Sequence, residues 1–233
     1  MHIGIHARVP GEPQKLLNRT VWIGSDGIIQ PDATYDKLHL FDYGNLKESS
    51  SVQGGDKLTD PFQTSVGRVG SLICFDLRFP EASIKLTQPR GVQGGEDVYS
   101  AQILTYPSAF TVRTGEAHWE VLLRARAIET QSWVVAAAQC GMHNEKRISY
   151  GHSMVVDPWG RIALDMGGYD GSPDDVENVV GFVDLDMRVL EQVRREMPLA
   201  RRKCATSPPC RDSRSPMGVL LTINHLRDVY SLI

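Results

Sequence analysis

Gly70-Ser-Leu-Ile-Cys-Phe-Asp-Leu-Arg-Phe-Pro-Glu81 is the stretch on which the reading of this chain turns. Val69 to Ile73 is a short apolar run, Asp76 and Arg78 break it, and Pro80 suits the first turn of a helix, where a missing N–H is no loss. The run therefore reads as a buried strand that gives way to a turn, with Cys74 at the changeover. Open α/β sheets present reactive groups there, in the crevice beyond their strand ends. A nearby cation would raise the thiolate fraction of such a cysteine. An inert core position is the other reading, since buried cysteine behaves as a small hydrophobe, and the local sequence leaves both open.

Working outward, Arg19 to Gly24 and Ile28-Ile29 flank Ser25-Asp26-Gly27, a turn tripeptide whose glycine can take positive φ, so a hairpin is expected. His152 to Asp157 and Arg161 to Leu164 flank Pro158-Trp159-Gly160 in the same way. Further strands are expected over Val66 to Phe75, Ile103 to Tyr106, Ser132 to Gln139 and Val179 to Leu185. Pro80 opens a helix that continues through Leu86. Thr114-Gly115-Glu116 caps a second helix running to about Thr130, with Glu116 near its positive end and Val121, Ala125 and Ile128 sharing a buried face. A third spans Asp186 to Glu196, stopped before Pro198. Strand, helix, strand, helix, strand and then hairpins predict a mixed α/β sandwich in one domain. Two stretches break the pattern. Pro89 to Asp97 is longer than a helix-to-strand join needs, and residues 200–216 scatter Arg201, Arg202, Lys203, Arg211 and Arg214 among serines and prolines, as a solvated linker or a partner-binding patch would.

The 233 residues are 41% hydrophobic, enough for a substantial core. Lys+Arg 25 against Asp+Glu 28 leave a net charge of -3, so no overall basic field draws the chain to nucleic acid. The opening MHIGIHARVP lacks the basic segment and apolar run of a signal peptide, and no run of about 18 apolar residues occurs. The expectation is a soluble cytoplasmic chain with no membrane role. Cys74, Cys140, Cys204 and Cys210 are too scattered for a disulfide framework or a zinc site, so free thiols, no metal and no cofactor are expected.

Lys37 lies in Tyr35-Asp-Lys-Leu-His-Leu-Phe41, where a lone lysine either points to solvent or serves as a fixed cation for a developing oxyanion and a thiolate. Seven histidines are available as partners for a cysteine, and sequence places none of them beside Cys74. His118-Trp-Glu120 is no zinc helix, because Leu122 stands where the second histidine would be needed.

Taken together, Tyr35 to Asp42 and Gly70 to Glu81 closely resemble the lysine and cysteine motifs of the nitrilase superfamily, the carbon-nitrogen hydrolases. Leu104 to Phe110, His118 to Glu129, Gln139-Cys-Gly141 and Gly151 to Gly160 extend the resemblance in the same order. Their wording is most similar to the Nit branch, which includes ω-amidases and deaminated-glutathione amidases. The resemblance implies a four-layer α-β-β-α sandwich and an amidase that cleaves a small ω-amide of a carboxylic acid through a cysteine thioester. It makes Cys74 the nucleophile, and gives Lys37 and the Phe75 N–H the oxyanion. It matches Glu48 to a second active-site glutamate that positions groups. Arg78 falls where the branch contacts a substrate carboxylate, with an internal salt bridge to Asp76 or Glu81 as the alternative. Tyr106, Phe110 and Thr111 line the pocket or simply fill the core. A homo-oligomer is implied, with the helix after Thr114 at or near its interface.

In the superfamily the general base is a glutamate well before the lysine. Here only Glu12 precedes Lys37, in the turn-like Val9-Pro-Gly-Glu-Pro13, and Met1 to His6 resembles a strand that follows the family's glutamate motif. The expectation is therefore a sandwich incomplete at its N-terminus, with a mitochondrial location left open. Residues 1–199 would form the partial hydrolase domain and 200–233 a divergent tail, near whose end Leu226 to Tyr230 resembles the family's Arg-x-Asp-x-Tyr ending. Activity of this form is in question, and the alternative is a non-catalytic variant that pairs with a full-length subunit. A papain-like hydrolase is disfavoured, because its cysteine pattern is absent around Cys74.

Overall fold

Strands form where the β-branched and apolar runs lie. In chain order they are β1 (His2–Val9), β2 (Glu12–Ile23), β3 (Ile29–Asp36), β4 (Asp42–Tyr43), β5 (Leu46–Lys47), β6 (Val52–Gln53), β7 (Phe62–Thr64) and β8 (Gly67–Ser71). After helix α1 (Pro80–Thr87) come β9 (Val92–Gln93), β10 (Glu96–Asp97) and β11 (Ile103–Thr105). Helix α2 (Val112–Thr130) leads to β12 (Trp133–Ala136), β13 (Cys140–Asn144), β14 (Arg147–Tyr150), β15 (Met154–Val156) and β16 (Ile162–Asp165), and α3 (Met187–Glu196) follows. The computed structural model describes residues 1–44, 46–88, 92–93, 96–97, 99–145, 147–169 and 180–199. The tail 200–233, with its basic stretch, lies outside the described residues.

One sheet is the antiparallel meander β1-β2-β3, with β6 parallel to β2. Gly27, at φ 78°, makes the β2-β3 turn that the Ser25-Asp26-Gly27 tripeptide predicts. The second sheet runs β16-β15-β12-β11-β8-β7, with β8, β11 and β12 parallel and α1 and α2 as the crossovers between them. Its central strands are buried on both faces. Ile103 and Trp133 turn to one apolar cluster with Val69, Val155 and Leu190, while Leu104 and Val134 turn to the other with Leu72, Leu86, Trp119 and Leu123. That double burial is why these strands read as continuous apolar runs. Leu104 is fully buried, so its truncation to alanine costs about 2–5 kcal/mol.

Helices α1 and α2 cover one face of the second sheet, and the first sheet and α3 lie toward the other. Trp22 of β2 meets Phe62 of β7 edge-on at 5.6 Å between centroids, and His2 Nε2 lies 3.0 Å from Ser71 Oγ. Burial pushes the His2 imidazole from its ordinary 6.5 down to about 4. These are three of the four layers expected.

Several expectations are corrected. Helix α2 begins earlier than Thr114: Thr111 is its N-cap, accepting the Thr114 N–H at 3.3 Å, which moves Glu116 out of the first turn. Its buried face carries Gly115, Trp119, Leu123, Arg126, Ala127 and Thr130, and Val121 (60% exposed) and Ile128 (42%) face outward with Ala125. Gly115 sets that rotation, because a Cβ there would lie 2.2 Å from the Tyr150 ring and only glycine lets the helix approach β14. Val179 lies outside the described residues, and 180–185 are not a strand. Val183 and Leu185 pack on the core while Phe182 and Asp184 point out, so the alternation survives, yet no ladder pairs with it among the described residues. Patterning chooses a face, whereas a strand also needs a neighbour with free backbone groups. Within 89–97, β9 and β10 pair with each other as a small antiparallel ladder.

Candidate active site

Ladder bonding carries the end of β8 past its last residue. Leu72 N–H donates to Thr105 O and Cys74 N–H to Pro107 O, each at 3.1 Å. The chain then turns sharply. Cys74 has φ 46°, a left-handed conformation that disfavours any side chain, and opens a 3-10 turn over Cys74–Arg78. The first bond of that turn runs from Asp76 N–H to Ile73 O at 3.0 Å, so the Phe75 N–H ahead of it lies outside the turn's own bonding. The thiol is half-buried.

Asp76 is the hub of the region. Its fully buried carboxylate accepts from Ile73 N–H (2.9 Å), the Tyr35 hydroxyl (2.8 Å), His39 N–H (3.1 Å) and His39 Nδ1 (2.7 Å). Burial first, and the Asp76 charge second, push the Tyr35 hydroxyl upward and keep it a donor. The segment that flanks Lys37 is thereby tied to the turn that carries Cys74.

Lys37 follows directly on β3. It is 2% exposed rather than at the surface, and its ammonium donates to Glu48 Oε2 at 2.6 Å. Glu48 also accepts from Asn18 Nδ2 at 3.0 Å and Phe41 N–H at 2.7 Å. Burial works against its ionisation, but these three donors outweigh it and hold the carboxyl below its ordinary range. Glu12 is exposed at the start of β2.

Arg78 ends the 3-10 turn. Its guanidinium lies 5.7 Å from the Phe75 ring centroid and 5.6 Å from that of Phe110, and Nη2 donates to His118 Nδ1 at 3.2 Å. No carboxylate pairs with it among the described residues: Asp76 is committed elsewhere. Phe110 in turn packs on Trp119 at 4.7 Å. Tyr106 is fully buried, with its hydroxyl 2.6 Å from Ser83 Oγ of α1, and burial raises that hydroxyl. The Thr111 hydroxyl is occupied in capping α2.

The structure thus brings Cys74, Phe75, Arg78 and Phe110 together, pairs Lys37 with Glu48, and joins the two groups through Asp76. Tyr106 and Thr111 present their hydroxyls to the core and to the helix cap. Sequence reasoning did not find Asp76, Asn18, Tyr35, His39 or His118 as parts of the site. A faint signal existed for two: His39 stands two residues after Lys37 and Asp76 two after Cys74. Among the described residues no group of three or more His, Cys, Asp or Glu is arranged to hold a metal. No described helix is long and apolar enough to cross a membrane.

Comparison with known proteins fits this geometry. The family model for carbon-nitrogen hydrolase matches residues 1–195. The chain is 46% identical over 201 residues to the probable hydrolase nit2 of Schizosaccharomyces pombe, covering 82% of this chain and 67% of that protein. It is 45% identical over 197 residues to the deaminated glutathione amidase of Homo sapiens, covering 82% and 54%. Among solved structures, Saccharomyces cerevisiae Nit3, a member of branch 10 of the nitrilase superfamily, aligns with a TM-score of 0.68 at 30% identity, over 85% of this chain and 64% of that one. The chain spans between about half and two thirds of the length of these relatives.

Proposed function

Because this chain belongs to the carbon-nitrogen hydrolase family and has the nitrilase fold, we propose that its chemistry is that of an amidase acting on a small ω-amide of a carboxylic acid. The observation that carries this reading is the left-handed cysteine at the end of β8 with a guanidinium four residues on that has no carboxylate partner among the described residues. The Cys74 thiolate attacks the amide carbonyl carbon, and the oxygen that becomes negative is met by Lys37 and the Phe75 N–H. The proton given up when the thiol ionises passes through solvent water to the amide nitrogen, collapse breaks the C–N bond, ammonia leaves, and a thioester remains on sulfur. Arg78 takes the substrate's carboxylate, and the name of the human relative, deaminated glutathione amidase, supports a substrate with such a group. Residues 1–199 carry this chemistry and 200–233 form a tail.

Deacylation is the weak step. Glu48 has its oxygens on Lys37, Asn18 and Phe41 and is held ionised, which makes it a positioning group and a poor proton acceptor. Glu12 is exposed on β2. The 233-residue chain, incubated with deaminated glutathione, is expected to build up an acyl adduct on Cys74, read by intact-mass and peptide mapping, with little ammonia release. Ammonia release near the enzyme median of about 10 s⁻¹ would show that Glu48 or another residue is the base. Labelling of Cys140, Cys204 or Cys210 in place of Cys74 would overturn the site.

A second reading, pairing with another subunit, is favoured by the outer face of α2. Val121, Ala125 and Ile128 are exposed there, and Ile128 lies against Gly160, next to Trp159, which is 52% exposed. Val121→Glu is expected to shift the species seen by sedimentation toward monomer, and an unchanged distribution would count against this face.

A further inference from the structure

We propose that His39, acting through Asp76, is the positioning residue that couples the Lys37 segment to the Cys74 turn, so that ammonium and thiol are held as one unit. This rests on the amidase reading, in that it takes Cys74 as nucleophile and Lys37 as its cation. The two oxygens of Asp76 divide the work. Oδ1 takes both donors of His39, the backbone N–H at 3.1 Å and Nδ1 at 2.7 Å. Oδ2 takes one donor from each side, the Tyr35 hydroxyl at 2.8 Å and the Ile73 N–H at 2.9 Å. Tyr35 and His39 bracket Lys37, and Ile73 immediately precedes Cys74.

A fully buried carboxylate is tolerated only when its lone pairs are met, so loss of a donor loosens the whole junction. An ionised carboxylate is purely an acceptor, which fixes the His39 proton on Nδ1. The ring is held flat against Phe79, with centroids 3.7 Å apart and planes 8° from parallel, and Phe79 directly follows the Cys74–Arg78 turn. The histidine therefore grips the turn twice, through Asp76 and through Phe79. Tyr35 adds a third tie on the lysine side, since its oxygen also accepts the Leu38 N–H at 3.2 Å. His39 makes no hydrogen bond to Cys74, so its influence on the thiol is one of placement.

The test is the pH–rate profile of Cys74 alkylation by iodoacetamide in the full chain, which needs no turnover. Lys37→Met is expected to slow alkylation at neutral pH. His39→Ala should move the profile in the same direction, slowing the neutral-pH rate about tenfold. His39→Asn, whose side-chain amide can donate to Asp76, should recover most of the rate. A His39→Ala profile that coincides with wild type while Lys37→Met shifts would overturn the coupling and leave the amidase reading standing. So would a slowed His39→Ala that His39→Asn fails to rescue. An unshifted Lys37→Met profile would sink the amidase reading itself, and the coupling with it. If His39→Ala does not fold, Phe79→Leu removes the stacked ring and leaves the donors of Asp76 in place. It is expected to slow alkylation by a smaller factor, and no slowing would again overturn the proposal.

Discussion

Lys37 and Arg78 carry the same charge in two opposite settings. Lys37 is 2% exposed and spends its ammonium on Glu48, which two further donors hold in place. Arg78 lies against two aromatic rings and a histidine nitrogen, with no carboxylate beside it among the described residues. A cation buried like Lys37 needs its counter-charge in the folded state. One that keeps partial contact with water, as Arg78 does, can wait for an anion to arrive. Balance at Lys37 is thus completed by folding, and at Arg78 the described residues leave it open, as the carboxylate role proposed above requires.

The sharpest way to break that contrast is Lys37→Met. It leaves the partly buried Glu48 without its cation, and should cost about 1–3 kcal/mol of stability as well as about 10²–10³ in the rate of Cys74 acylation. Thermal melting and adduct formation measure the two, and Lys37→Met/Glu48→Leu should regain part of the stability and none of the rate. Arg78→Ala should do the reverse. Its melting temperature should stay close to that of the parent, while the apparent affinity for a carboxylate-bearing amide falls about 10–100-fold, as loss of a charge-assisted hydrogen bond implies. Reaction with a neutral amide should be unaffected. Equal losses of stability in Lys37→Met and Arg78→Ala would erase the distinction.

A smaller effect separates two acid-sensitive contacts. His2 has its titration lowered from 6.5 to about 4, so the unfolded chain takes up that proton first. Its contribution is whole above pH 6.5 and drains away as the pH falls toward 4. Glu48 is also lowered, from 4.5, so its contribution is whole above 4.5 and is lost only below that, as the folded carboxyl is protonated. His2→Phe should flatten the upper part of the acid limb of melting temperature against pH, and Glu48→Gln only the lower part. A variant that flattens the wrong part would show that its group titrates elsewhere.

Much of the frame was legible in the sequence because it depends on local signals. Pro80 at the start of α1, Gly27 in its hairpin and Asp186 capping α3 each act within a few residues of themselves. The buried face of α2 was not. It carries Gly115, Arg126 and Thr130, whose burial is explained only by what lies opposite, such as the Tyr150 ring over Gly115 and the Leu77 carbonyl 2.6 Å from Arg126 Nη2. The more regular apolar spacing of Val121, Ala125 and Ile128 belongs to the outward face. The site divides along the same line. Cys74 and Lys37 stand in motifs, whereas Asn18 reaches Glu48 across 30 residues of sequence and Asp76 gathers partners from as far as 41 residues away. Such pairings exist only once two sheets and a turn have met.

The left-handed backbone at Cys74 sets drift against selection at that one position. Any residue with a Cβ costs about 1–2 kcal/mol there, and glycine would relieve it. With the sulfur gone from both, Cys74→Gly is expected to melt above Cys74→Ala by the equivalent of about 1 kcal/mol. A lineage released from the chemistry would wander toward glycine or asparagine at this turn. Cysteine is a residue that backbone stability would not choose for this turn, so the nucleophile proposed above would stand at a local cost in backbone energy.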